Sequence, residues 1–388
     1  NELEFDFSNI TNVAGTYKVI VKYKEVYVVE FTITVVEDLL VADENNEVRI
    51  IVDANAADSG KLVDNVLNVQ TVKEAFEILA LSNLTDDVIK KVHLKEGTYF
   101  EKVILNIPNV HLIGESQDST IIDYNAGSGG RTPTLVEWGT QGSSTFTLGS
   151  KGTGFIAYNL TFSNSFDYYG STLASKQAVA LVTQADKVIF HKVSFLGLQD
   201  TLYAKDGRQW YLDVYVEGIV DYIFGNGGPA YFENSEIHTL NRQGTSANAV
   251  ITAQKGVGAN GKSLVDYGYV FVNNKFTAPE GMTSKIDLGR PWDKNAAVAY
   301  VNNEFNGHIS EAGWTDMSGN KAEDARFFEF GNKIVDVLYQ STRGTQLTEQ
   351  ETSNYISKDV VFAQGNGEVD FGSAWDYKAQ LALLNLPK

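Results

Sequence analysis

Apolar and polar positions along this chain fall mostly into short runs that partly alternate, the pattern of strands whose side chains point to two faces in turn. Thr16–Tyr23 and Val26–Val35 are rich in β-branched and aromatic residues, which predicts two strands within a strand-rich segment 1–36. Glu37, Asp38, Asp43, Glu44 and Glu47 follow as an acidic stretch that reads as a linker. A helical period is clear at one place. Val72, Ala75, Phe76, Leu79 and Ala80 follow the capping-box pattern Thr71-Val-Lys-Glu74 and predict one amphipathic helix. Thr348-Glu-Gln-Glu351 predicts a second, short one. Between them lie short β runs broken by Gly, Asn and Asp.

Those runs recur. Tyr158–Phe162, His191–Phe195, Leu212–Val216, Glu233–Ile237, Val272–Phe276 and Val301–Phe305 are versions of one unit, each ending on an apolar anchor. The anchors at 162, 195, 216, 237, 276 and 305 are spaced by 33, 21, 21, 39 and 29 residues. A floor near 21 with variable insertions is the signature of a parallel β-solenoid, in which each coil adds one rung and long loops leave at the turns. Asn within such units, unfavourable in an ordinary strand, would stack on the next Asn and bond its neighbour's backbone at a bend. The fold class expected is therefore all-β, a solenoid with a short N-terminal helix and a small β-rich lead-in.

Composition narrows the function. The chain has 388 residues, 49 acidic against 31 basic, and a formal net charge of −18, which argues against nucleic-acid binding and against general attraction to anionic membranes. No run of about 20 apolar residues exists to span a bilayer. With no cysteine, thiol nucleophiles, disulfides and Cys-ligated metals are excluded. The first residue, Asn1, opens no basic-then-apolar leader, so the chain reads as a processed or cloned piece of something longer. The five histidines (93, 111, 191, 238 and 308) form no HExxH or other ligand pair, and packing or surface roles are expected for them. Gly256–Ser263 satisfies GxxxxGK[ST], but a phosphate-binding loop needs a helix starting at its Lys. The Leu264–Val272 run that follows is strand-like, so a loop between coils is expected.

The carboxylates carry sharper chemistry. Asp200, in Gly197–Tyr203, and Asp221, in Val220–Gly227, each follow a repeat anchor by five residues and are 21 apart. In a solenoid they occupy one place on consecutive rungs, ~4.8 Å apart along the axis. Two carboxylates so close cannot both ionise cheaply, so one pKa is expected to rise and the other to fall, separating an acid from an anion. Spacing alone fits equally well with two turn residues capping adjacent loops. Nearby, Gln199 supplies a neutral donor, and Gln177 opens the apolar run Gln177–Leu181, read as a buried strand. Leu288-Gly-Arg-Pro-Trp292 sets the permanent cation of Arg290 beside an aromatic plane. Trp292, Tyr203 and Phe224 offer flat faces to sugar rings.

Assembled in this order, Gly97–Glu101, Gln177–Leu181, Gly197–Leu202, Asp221–Gly225 and Leu288–Trp292 make the chain from about Val69 to about Phe362 resemble the pectinesterase (pectin methylesterase) family. The resemblance implies a right-handed parallel β-helix and hydrolysis of methyl esters on polygalacturonate, with no metal or other cofactor. It implies Asp221 as nucleophile, Asp200 as general acid and then base, Gln199 as oxyanion donor with Gln177 assisting, and Arg290 holding Asp221 ionised. Trp292, and with it Tyr203 and Phe224, would bind substrate. Residues 44–388 are expected to form the catalytic domain. Residues 1–43, through Ala14–Val19, resemble part of a bacterial immunoglobulin-like module and read equally well as a β-rich lead-in and linker. Pectin is the expected partner, with no nucleic acid and no membrane insertion. A monomer, outside the cell or at its surface, is expected. Departures are Tyr222 in place of the commoner Phe, Asp-Lys-Asn-Ala-Ala after Trp292, and a longer Asp53–Asn68 segment. An acidic protein acting toward a polyanionic product is a tension, relieved if the groove is locally less negative or if highly methylated stretches are preferred. The rival readings are a β-helix polysaccharide lyase or glycosidase, distinguished by its products, and a catalytically dead wall-binding solenoid.

Overall fold

In a computed structural model, residues 40–56, 59–64 and 66–386 are described in full, and 3–6, 15–23 and 26–35 by their strand pairing. Those three N-terminal strands form an antiparallel sheet in which Gly15–Tyr23 pairs with both neighbours. Ala14, Glu37 and Asp38 lie outside the described residues. Glu47 does not belong to the acidic linker its sequence suggests; it is the first residue of a solenoid strand, buried, with Lys91 Nζ 2.7 Å from its carboxylate.

The rest is a right-handed parallel β-helix. Twenty-one strands form one sheet that bends at a corner in every coil, and seven form a second. The repeat anchors stand opposite one another in unbroken register: Ile122, Phe162, Phe195, Val216, Ile237, Phe276, Phe305 and Ile334. A row inside the core follows the same spacing. Phe190, Tyr211, Phe232, Phe271 and Tyr300 stack with centroids 4.3–4.9 Å apart and planes within 12°. Each pair contributes ~0.5–1.5 kcal/mol beyond its buried area.

The corner between the two columns of the large sheet explains the asparagines. Asn159, Lys192, Asp213, Asn234, Asn273 and Asn302 all have φ between 52° and 58°, a left-handed turn that Asn and Asp tolerate best. Beside this row runs a ladder of buried amides. Asn274 Nδ2 donates to Asn303 Oδ1 at 3.1 Å, and Asn303 Nδ2 to Asn332 Oδ1 at 3.0 Å, while the same oxygens accept backbone N–H groups. The Asn side chains therefore satisfy corner amides that no strand partner reaches.

Both ends of the stack are closed. At the N-terminal end a helix, Val72–Leu81, buries Val72, Ala75, Phe76 and Leu79. Thr71 caps it through Glu74 N, but the Glu74 carboxylate turns to Ser59 and the Gln70 amide, so the reciprocal half of the box is not made. The additional length at Asp53–Asn68 is a hairpin, Lys61–Val63 running antiparallel to Val66–Val69. At the other end Lys333–Ile334 pairs antiparallel with Val337–Leu338. The helix Glu349–Ile356 carries the complete capping box between Thr348 and Glu351. The tail beyond it covers the outer face of the large sheet, where Trp210, Tyr231 and Val270 meet Phe362, Trp375, Tyr377 and Leu384. Fully buried Arg208 ties this tail down through the Phe362 carbonyl while two of its N–H groups bond Asp186.

Candidate active site

The seven-stranded sheet, from Val103–Leu105 to Ile286–Pro291, carries the cleft on its outer face. Gln199 bridges in parallel to Val220, and Leu202 and Tyr203 stand opposite Ile223 and Phe224, so Asp200 and Asp221 sit on consecutive rungs as their spacing predicts. Both take the left-handed conformation, φ 62° and 50°, which aims each side chain out of the turn at the strand's start. Asp200 N donates to the Val220 carbonyl and Ala178 N to the Gln199 carbonyl, which locks three successive rungs together. Only 8% of Asp200 and 6% of Asp221 is exposed.

Arg290 reaches back from the last strand and grips Asp221 with two bonds, Nε to Oδ1 at 2.8 Å and Nη2 to Oδ2. Among the described residues no such cation grips Asp200. Burial first, then the charge of Asp221, push the Asp200 carboxyl well above the usual carboxylate range, with Arg290 and a hydrogen bond from Gln199 opposing. Asp221 is also raised by burial, against the bonds and charge of Arg290 and the more distant charge of Arg242. The expectation that one pKa rises and the other falls is therefore corrected. Both rise, because both are desolvated, and Arg290 separates them by bonding the ionised form of Asp221 directly while acting on Asp200 only through its charge.

Gln177, Gln199, Asp200, Asp221, Arg290, Phe224 and Trp292 line one cleft of ≈ 230 Å³. Gln177 lies just before the strand read there, which begins only at Leu181. Its Oε1 is buried and meets no protein partner among the described residues. Tyr203 is not on the lining; it stacks behind Phe224 with centroids 4.2 Å apart and 6.4 Å from Trp292. Thr140, Ala253 and Met317 also line the cleft. Thr140 arrives on the one-turn helix Gly139–Gly142 and Met317 on a turn bridged to Asn320, both outside the repeat, with no periodicity to betray them. Ala253 stands between Phe224 and Arg290 in register and follows from the rung pattern. Tyr222 is fully buried, its hydroxyl paired with Thr239. None of the histidines lines the cleft. His191 meets Asp213, His238 meets Thr277, and burial pushes His111 down to about 4. Among the described residues no three His, Asp or Glu side chains gather as a metal site. The Gly256–Ser263 motif is a turn, with Gly258 N bonded to the Ser263 carbonyl and Val257 bridged antiparallel to Leu264.

The pectinesterase family model matches residues 62–344. The chain belongs to the pectinesterase family. A probable pectinesterase A of Neosartorya fischeri is 33% identical over 71% of this chain and 78% of its own. A probable pectinesterase/pectinesterase inhibitor of Arabidopsis thaliana is 32% identical over 68% of this chain, which spans about half (48%) of that relative. Among solved structures, the Erwinia chrysanthemi pectin methylesterase superposes with a TM-score of 0.69 at 26% identity, covering 82% of this chain and 98% of that one. A pectin methylesterase in complex with a hexasaccharide gives 0.70 at 26%, covering 83% and 99%. The pectinesterase fold thus accounts for the solenoid and both of its sheets.

Proposed function

We propose that this pectinesterase releases methanol from methyl-esterified polygalacturonate through an acyl-enzyme on Asp221. The observation that carries the assignment is the asymmetry of the pair, with Arg290 bonded twice to Asp221 and not to Asp200. Ionised Asp221 attacks the ester carbonyl carbon. The amides of Gln199 and Gln177 stabilise the oxyanion. As the C–O bond to methoxide breaks, Asp200 delivers its proton and methanol departs. The intermediate is a mixed anhydride. Asp200, now a carboxylate, takes a proton from water, which attacks the same carbonyl; Asp221 leaves as a carboxylate into the grip of Arg290, and a free galacturonate is formed. Burial strengthens each of these contacts relative to water. Trp292 and Phe224 form the sugar platform, with Tyr203 as its backing.

On this reading residues 44–388 are the catalytic unit and 1–43 a lead-in. The enzyme works as a monomer, outside the cell or at its surface, where its polymer lies. No described helix is long and apolar enough to cross a membrane. The test is methanol release from methylated pectin by the wild type, with and without chelator, and by Asp221→Asn. Release that survives chelation and vanishes in a folded Asp221→Asn enzyme is the expected result. An active Asp221→Asn enzyme, or unsaturated ends instead of methanol, overturns the assignment.

A further inference from the structure

The seven-stranded sheet runs out beside the catalytic cation. Its last strand, Ile286–Pro291, carries Arg290 and leads straight into Trp292. The chain that returns alongside it is only a fragment of a rung. It makes two parallel bridges, Ile286 to Ile309 and Gly289 to Trp314, and Thr315 N donates to the Gly289 carbonyl at 3.1 Å. Among the described residues the strand pairing on that side stops there, so Arg290, Pro291 and Trp292 extend past it as a sheet edge.

Asn320 takes over where the rung stops. The chain turns back at Ser318 and Gly319, both left-handed with φ 52° and 90°. The two-residue hairpin is closed by Asn320 N to the Met317 carbonyl at 2.8 Å and Met317 N to the Asn320 carbonyl at 3.1 Å. From it Asn320 Nδ2 donates to the Pro291 carbonyl at 3.3 Å and the Trp292 carbonyl at 3.2 Å. Two carbonyl oxygens can be met only by the nitrogen end of an amide, which fixes its orientation. On the cleft side Met317 and Trp292 pack on one apolar cluster that includes Tyr203, Phe224 and Ala253. The base of the hairpin is held away from the cleft. Asp316 accepts from Ala322 N at 3.1 Å and pairs with Lys321 and Arg343, and buried Trp314 stacks on Phe327 with its indole N–H on Glu329. One end of the hairpin is thus braced against the end of the solenoid, and the other holds the backbone of the sugar platform. Trp292 N already donates to the Gln254 carbonyl at 3.0 Å, so the Asn320 bond fixes the remaining backbone polar group of that residue. A displaced platform moves the bound ester relative to Asp221, and attack is steeply sensitive to such a shift.

Resting on the esterase reading, we propose that Asn320 is a positioning residue for the reaction. It lies off the cleft lining and acts through the backbone of Trp292, holding the platform where the ester carbonyl meets Asp221.

Methanol release from a methyl-esterified oligogalacturonide is measured for the wild type, Asn320→Ala, Asn320→Asp, Trp292→Ala and the Asn320→Ala/Trp292→Ala pair, with thermal melting of each. Asn320→Ala should lower kcat about tenfold and leave KM within about threefold, because the platform remains but presents the ester out of line. Asn320→Asp, which keeps the shape and loses the N–H donors, should fall at least as far. In the Trp292→Ala background the further loss should be under about twofold, since the ring through which Asn320 acts is gone. Wild-type kcat in Asn320→Ala or Asn320→Asp, whether or not the melting temperature falls, overturns the assignment. So does an equal loss in both backgrounds, or a change confined to KM. Each of these outcomes leaves the esterase reading standing, whereas a wild type that releases no methanol overturns both.

Discussion

Replacing Arg290 by Gln keeps a polar side chain of similar reach but removes the charge that holds Asp221. The carboxylate it abandons is 6% exposed and loses both charge-assisted bonds at once. Breaking one side of a buried ion pair costs ~3–5 kcal/mol. At 1.36 kcal/mol per decade, that is a loss of about two to nearly four orders of magnitude in kcat/KM if the cost falls on the reactive state. The pH profile carries the sharper signature. The reactive form has Asp221 ionised and Asp200 protonated, so ionisation of Asp221 sets the acid limb and that of Asp200 the alkaline limb. Burial already raises Asp221 against the pull of Arg290. With Arg290 gone only the weaker charge effect of Arg242 opposes burial, the Asp221 pKa climbs toward that of Asp200, and the acid limb moves to higher pH while the active window narrows. Continuous measurement of methanol release across pH reads both effects. A loss below about fivefold, or an acid limb left at its wild-type position, would refute the role given to Arg290.

Asp200→Asn should abolish turnover yet raise the melting temperature at neutral pH. Its folded pKa lies above the unfolded value, so the unfolded chain loses this proton first and stability falls as pH rises between the two; the amide removes that dependence. Asn303→Leu should cost about 4 kcal/mol by urea denaturation, because Asn303 accepts from the Asn274 backbone and side chain and donates to Asn332 and the Phe271 carbonyl in a dry corner. Gly256→Ala should cost about 2–4 kcal/mol in the same assay, since the glycine has φ 73° and an added Cβ would lie 1.7 Å from the Asn295 carbonyl oxygen. A shift below about 0.5 kcal/mol in either variant would show that the backbone relaxes around it.

The solenoid was legible because its evidence is periodic. The six anchors read from spacing are the residues that face one another across the rungs, and Asp200 and Asp221 inherit their alignment from Phe195 and Val216. Arg290 was legible as a cation next to Trp292, but its partner followed only from the family resemblance, because the 69 positions that separate Arg290 from Asp221 close only in three dimensions. The joint rise of the two carboxyl pKa values was missed for a physical reason. Spacing reports how close two charges stand, whereas desolvation depends on what packs around them in three dimensions. The C-terminal tail was missed in the same way. Phe362, Trp375, Tyr377 and Leu384 follow no strand or long-helix period, and their burial is set by the apolar outer face they happen to meet.

The large sheet finishes at each extremity, along one edge of its coils, in a very short antiparallel strand, Lys61–Val63 at one and Val337–Leu338 at the other. Strands of this length and direction make poor templates for another copy's backbone. The chain therefore has fixed stoppers with a variable middle. A coil gained or lost between them would lengthen or shorten the groove by ~4.8 Å while leaving both stoppers untouched. Reach along a polymer can thus change in this scaffold while the two antiparallel end strands stay as they are.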